Sequence, residues 1–193
     1  LPALGVQGVP VRTLHHWAQE QVKHHFRNVP RLRAEDTPAA VVRFKTHRGL
    51  ISMLEDSAAE HQGRNPVTVF DELFTDSQWI REGLKKHAPD AFSPGQCKEI
   101  HRWCADEYLR REDKRSADSN DDGSGMPLPK ARYDAEDDML LLRLQQLLRG
   151  GLKHKKAAPL QYDHILIDEA QDFSPLEILV LKETAKKRSM TLA

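Results

Sequence analysis

The sequence predicts an α/β chain whose parallel-sheet core is interrupted by a large, mainly helical insertion. Two patterns carry that prediction. At the C-terminal end, the apolar run Tyr162–Ile167 is followed by a helix opened by Ser174-Pro175 and then by a second strand from Met190 to Ala193. Two strands joined through a helix form a parallel crossover unit, because parallel neighbours need a long connection. Between Ala39 and Gly151, by contrast, apolar residues recur at helical spacing.

Taken in order, "GVPVRTLHHWAQEQVKHHF" predicts a short strand from Val9 to Thr13 running into a helix, whose apolar stripe is Leu14, Trp17, Ala18, Val22 and Phe26. Pro30 and Pro38 end that element. "AAVVRFKTHRGLISMLEDSAAEH" predicts one helix through Val42, Leu50, Met53 and Leu54, with Gly49 as a weak point in its middle. After the turn "QGRNPVT" come two short helices, the second capped by Asp76. Ser93 and Pro94 open a further helix as N-cap and first helical residue. Residues 113–131, nearly free of large apolar groups, predict a mobile linker. The helix in "DAEDDMLLLRLQQLLRGG" is acidic in its first turn and closed by Gly150 and Gly151. The helix after Ser174 is expected to run to about Lys187.

The 193 residues carry 29 Lys plus Arg against 29 Asp plus Glu, so any basic surface must be local. No run of about 18 apolar residues is present, which excludes a membrane-spanning helix of that kind. "LPALGVQGVPVR" lacks the basic start and continuous apolar core of a signal peptide. With no initiator Met, and a strand under way at Ala193, the chain is expected to be an excised piece of a longer protein. Cys97 and Cys104, about 10 Å apart along a helix, are too distant for a disulfide and fit a reduced, cytoplasmic protein. They share a helix face with His101, but a fourth ligand at zinc spacing is missing, so helix packing is the better reading.

The stretch that demands a ligand is "YDHILIDEAQDFSPLEILVLK", residues 162–182. Ligands of open α/β sheets sit beyond the carboxyl ends of the strands, which is where Asp168 and Glu169 fall. An Asp there suits a nucleotide-bound Mg²⁺, and an adjacent Glu that is off the metal keeps the basicity to activate a water. The plain alternative is an Asp capping the following helix beside a solvated Glu169.

The string "YDHILIDEAQDFSPLE" resembles motif II of the UvrD/Rep-type superfamily 1 DNA helicases, in which an apolar strand ends in Asp-Glu-x-Gln-Asp before a polar-Pro helix start. "VRTLHHWA" is similar to the family's motif Ib in its Thr13, His15 and His16, with Leu14 in place of the family's aromatic residue. The resemblance implies a partial RecA-like core: residues 1–27 and 159–193 as parts of subdomain 1A, and 28–158 as the inserted helical subdomain 1B. It implies an ATP-dependent DNA helicase or translocase using ATP and Mg²⁺. Asp168 would hold the metal through its water shell, Glu169 would activate the attacking water, Gln171 would sense the γ-phosphate and Asp172 would fix the loop. DNA, as single strand and duplex junction, is the implied partner. The form of the motif and the short insertion lean toward the helicase IV and HelD-like branch.

No G-x-x-x-x-G-K-[ST] phosphate loop occurs in the chain, nor does the second RecA-like domain with its arginine finger, so the chain alone is expected to be inactive. Basic residues concentrate at Lys23 to Arg33, Lys153 to Lys156 and Lys186 to Arg188. Each suits phosphate contact or a merely solvated surface. Lys23, Arg27, Arg31 and Arg33 are the best DNA candidates, because they follow Thr13, His15 and His16 directly. Aromatic residues are only 6%, too few for an extended base-stacking platform, and Trp17, Trp79 and Trp103 sit on apolar helix faces. A second function class stays open: a non-catalytic helicase-like module docking on a partner such as RNA polymerase or a repair protein. A third, a metal-dependent hydrolase using Asp168 and Glu169 directly, lacks a further carboxylate or His cluster beside them.

Overall fold

A computed structural model describes residues 9–26, 37–117, 133–154 and 157–193. They form eight α-helices and two short strands. These are α1 (Leu14–His25), α2 (Ala39–Thr46), α3 (Arg48–Ala58), α4 (Pro66–Thr75), α5 (Ser77–His87), α6 (Pro94–Ala117), α7 (Ala135–Arg149), β1 (Ile165–Ile167), α8 (Pro175–Lys182) and β2 (Met190–Leu192). The two strands pair in parallel, Ile165 with Met190 and Ile167 with Leu192. Helix α8 makes the crossover between them, as the sequence predicts. The described residues are mainly helical, and the sheet in them stops at two strands, so they do not by themselves complete a RecA-like core.

Helix α7 is the hub. An ordinary surface helix is apolar on one stripe; this one is buried nearly all round, with Leu140, Leu141, Leu142 and Leu144 at 1% exposure or less. It packs against α1, α2, α3, α4 and α8. Its ends are set by sequence. Asp134 caps the N-terminus, its side chain accepting from the Asp137 N–H (2.9 Å) while Asp137 accepts from the Asp134 N–H (3.0 Å). Gly150, in the left-handed region, closes the C-terminus.

A buried ion cluster fastens α2 to this cap. Lys45 Nζ lies 2.5 Å from Asp134 Oδ2 and 2.7 Å from Asp137 Oδ1, all three side chains being almost fully enclosed. Burial alone would lower the Lys45 pKa, but the charges of Asp137 and Asp134 outweigh it and hold the ammonium above its ordinary value. For Asp134, burial works to raise the pKa, and the charge and hydrogen bond of Lys45 win, so it falls below the carboxylate range. Asp137 goes the other way: burial, with the Asp134 charge beside it, pushes it up to about 7.

Several predicted elements differ. Val9 to Thr13 is not a strand; Val9 and Val11 are exposed, and an isolated extended stretch has no ladder to join. The long helix from Ala39 is two helices that bend at His47, whose ring accepts from the Gly49 N–H at 3.0 Å and caps α3. Gly49 is there for room: a Cβ on it would stand 2.9 Å from the His87 carbonyl oxygen. The strand ahead of Asp168 is three residues long, with Tyr162 bridged separately to Ala185. Helix α8 stops at Lys182, where the Thr184 hydroxyl bonds the Leu181 carbonyl at 2.7 Å. Helix α6 runs through Ala117, into the predicted linker, while 118–131 of that linker lie outside the described residues. The breaks at Asp76 and at Ser93-Pro94 fall where the sequence puts them.

Candidate functional site

Asp168, Glu169, Gln171 and Asp172 come together in one turn at the carboxyl end of β1, and all four are exposed. Ile167 is buried as the last residue of the strand, which fixes where the chain leaves the sheet. The turn is built from backbone. The Ala193 N–H bonds the Ile167 carbonyl (2.9 Å) and the Ala170 N–H bonds the Ala193 carbonyl (2.9 Å), so the end of β2 clamps both sides of Asp168-Glu169. The Asp172 N–H closes the loop on the Glu169 carbonyl at 3.0 Å. Downstream, Ser174 and Glu177 form a reciprocal capping box that starts α8, with Pro175 at the first helical position.

Glu169 is held at φ 53°, ψ 46°, in the left-handed region. A side chain there costs on the order of 1–2 kcal/mol, and such strain concentrates at binding and catalytic sites. Its effect is to turn the chain sharply just after the strand end. Asp168 Oδ1 accepts the Glu169 N–H at 3.1 Å, and the Gln171 amide donates to Glu169 Oε2. Each carboxylate thereby keeps one oxygen outside these contacts. An exposed hard-oxygen donor at a strand end fits a hydrated Mg²⁺, which prefers to keep most of its waters. The second carboxylate, oriented by an amide, fits a water-activating group. Among the described residues, no cluster of three or more His, Cys, Asp or Glu side chains could hold a metal unaided, so a cation at Asp168 would take its remaining ligands from phosphate and water.

The other predicted residues lie along α1. Thr13 caps the helix, its hydroxyl accepting from the His16 N–H at 3.3 Å, and His15 and His16 are exposed on the first turn. Thr13 therefore has a structural duty whatever else it does. His16 also lies 3.4 Å from Glu20, which pairs with Arg12 as well, so acidic charge is interleaved with this surface. Lys23 is exposed in the last turn. Arg27, Arg31 and Arg33, and Lys155 and Lys156, lie outside the described residues. His101, considered above as a metal ligand, is hydrogen bonded to the Thr75 carbonyl at 3.0 Å.

Two basic clusters far apart in sequence meet here, a juxtaposition the sequence does not announce. His25 donates from Nδ1 to the Gln21 carbonyl (2.9 Å) and accepts at Nε2 from the Lys153 N–H (2.9 Å). That arrangement needs the neutral ring; burial, with the charges of His24 and Lys153, holds its pKa below the ordinary value. The Lys153 backbone is thus brought to the last turn of α1, which also carries Lys23 and His24. The third cluster is separate, with Lys186 paired to Asp163 at 2.7 Å and Lys187 and Arg188 both at positive φ.

A family model for the UvrD/REP helicase N-terminal domain matches residues 3–193. No curated protein and no solved structure matches the chain. With the match running over almost the whole length, and the Asp168-Glu169 turn and α1 in the places described, the chain belongs to the UvrD/REP helicase N-terminal domain family.

Proposed function

We propose that this chain carries the ATP-hydrolysis motif and part of the DNA-contacting surface of an ATP-driven DNA helicase or translocase. In this reading a RecA-like core is completed by segments other than these 193 residues, and the same segments supply the phosphate loop and arginine finger. The observation that carries the proposal is the Asp168-Glu169 turn: two exposed carboxylates at the end of a parallel strand, with Glu169 in the left-handed region and the turn clamped by Ala193.

Bound Mg²⁺ would shield phosphate charge and orient the nucleotide. Asp168 would hold that ion through its water shell. Glu169, fixed by the Gln171 amide, accepts a proton from the water that attacks the γ-phosphate. Gln171, whose amide already donates to that carboxylate, would sense the γ-phosphate and pass its presence on. His15, His16 and Lys23 face DNA phosphates from α1, with Lys153 and His154 extending the basic surface.

The test is DNA-stimulated ATP turnover by the full-length protein, wild type against Glu169→Gln. Losing a general base costs typically about 10²- to 10⁴-fold in rate. Turnover by the variant at the wild-type rate, with DNA binding intact, would refute the assignment and favour the docking-module reading.

A further inference from the structure

The helix capped by Thr13 and bearing His15 and His16 is tied to the segment that leads into β1 and the Asp168-Glu169 turn by one hydrogen bond between aromatic side chains. Trp17 Nε1–H donates to the Tyr162 hydroxyl oxygen at 2.9 Å, across 145 positions of sequence. Indole is a donor only, so Tyr162 is the acceptor here and its own hydroxyl hydrogen remains free to donate elsewhere. Trp17 is 6% exposed and packs in the core, one turn after Thr13; a shift of α1 moves the indole with it.

Tyr162 is fixed as firmly on its own side. Its N–H bonds the Thr184 carbonyl (2.8 Å) and its carbonyl accepts the Lys186 N–H (2.8 Å), which places it in the parallel bridge with Ala185. Both neighbours belong to the link between α8 and β2, and β2 leads into the Ala193 that clamps the Asp168-Glu169 turn. From Tyr162 the chain runs directly to Asp168, six residues on, about 20 Å if extended. Helix α1 otherwise packs mainly on α7, so the indole–phenol contact is a direct link from its N-terminal half to the nucleotide strand.

We propose that Trp17 and Tyr162 are positioning residues that couple DNA contact on α1 to the hydrolytic turn at the end of β1. The proposal rests on the functional reading above. It identifies a pair that touches neither ligand and acts by holding the two elements in one register. A coupling of this kind is reciprocal: if DNA raises the affinity for Mg²⁺-nucleotide by some factor, nucleotide must raise the affinity for DNA by the same factor.

The experiment uses the full-length protein and the variants Tyr162→Phe, Trp17→Phe and the double variant. Each single change removes one side of the hydrogen bond and keeps an apolar ring in the core. ATP turnover is measured without DNA and at saturating single-stranded DNA, and the Kd for DNA is measured with and without Mg²⁺ and a non-hydrolysable ATP analogue. Basal turnover and nucleotide-free DNA affinity are expected to stay within about 2-fold of wild type. The stimulation of turnover by DNA is expected to drop by about 3- to 10-fold, and the effect of the analogue on DNA affinity is expected to shrink as well, on the usual scale of coupling between sites. The double variant should behave like either single one, since both break the same bond. A purely structural role would move thermal stability and basal turnover together and leave the stimulation ratio alone; that result overturns the proposal while the motor reading stands. Wild-type protein whose turnover does not respond to DNA overturns both.

Discussion

Asp137→Asn tests the buried cluster at the head of α7. In the native protein two carboxylates share one ammonium, so a net negative charge is enclosed unless one of them keeps its proton. Asp137 is the one that does: burial and the Asp134 charge raise it from the ordinary 3.8 to about 7. The sign follows from linkage. Below 3.8 both folded and unfolded chains hold the proton. Between 3.8 and about 7 only the folded chain holds it. Above about 7 neither does, and the folded chain carries the full burden of the buried charge. The contribution of this group to stability therefore falls as pH rises from about 4 to about 7. At about 1.4 kcal/mol for each tenfold change in proton affinity, that gap sets an upper limit of about 4 kcal/mol. The substituted amide keeps an acceptor for the helix cap but carries no charge. Any loss from weaker capping, about 1 kcal/mol, is independent of pH. Urea unfolding followed by circular dichroism at pH 5, 6, 7 and 8 should show the variant gaining on wild type by about 1–3 kcal/mol across that range, the part of the gap above pH 5. A difference between variant and wild type that stays flat with pH would mean that Asp137 is ionised throughout, and the reasoning from burial would be wrong.

Lys45→Met should cost about 3–5 kcal/mol at pH 7, because it leaves two buried carboxylates without a cation; combining it with Asp134→Asn and Asp137→Asn should recover most of that loss in the same urea assay. In the full-length protein, Asp168→Asn should weaken Mg²⁺-dependent ATP binding as well as turnover, whereas Gln171→Ala should mainly reduce the DNA stimulation of hydrolysis; equal loss of basal turnover in both would contradict their separate roles. Ser174→Ala should destabilise the start of α8 by about 1 kcal/mol, read as faster hydrogen exchange at its first amides. His25 has its pKa lowered from 6.5 by burial, so the folded state loses ground as pH drops below 6.5; protection of the Lys153 amide should fall there while that of the Leu160 amide, bonded to Leu152, does not.

How far the sequence can be read depends on the range of the interaction. Local signals are reliable here: Asp76 separates α4 from α5, Pro94 starts α6, and Gly150 ends α7, each through chemistry within one turn of chain. The carboxylate pair is legible because a strand end followed by Asp-Glu is itself a local pattern. The left-handed backbone of Glu169 is not, since no glycine or asparagine marks it and it is imposed by Ala193 from the far end of β2. The bend at His47 has no mark either, because neither proline nor glycine sits at the break. Gly49 looks like a weakness on paper, whereas its role is to let α3 approach the end of α5. The Lys45–Asp134 pair spans 89 positions and the Trp17–Tyr162 bond 145, distances at which periodicity and capping rules carry no information. Helical spacing does place Trp17 in the core, and its indole N–H is the clue that it needs a polar partner there.

The central placement of α7 also bears on how such a protein could be cut or could move. By sequence, residues 28–158 look like a cassette spliced between two parts of another unit. By packing, the last helix of that cassette lies against α1 on one side of the splice and α8 on the other, and a single apolar cluster runs from Trp17 to Leu181. Deleting the cassette would strip α1 and α8 of the surface that covers them, leaving two fragments with exposed apolar faces rather than a minimal enzyme. Motion between the helical body and the strands is constrained in the same way: with α8 seated directly on α7, and the Gln146 amide bonded to the Val180 carbonyl between them, it favours one helix sliding on the other over free rotation about a hinge.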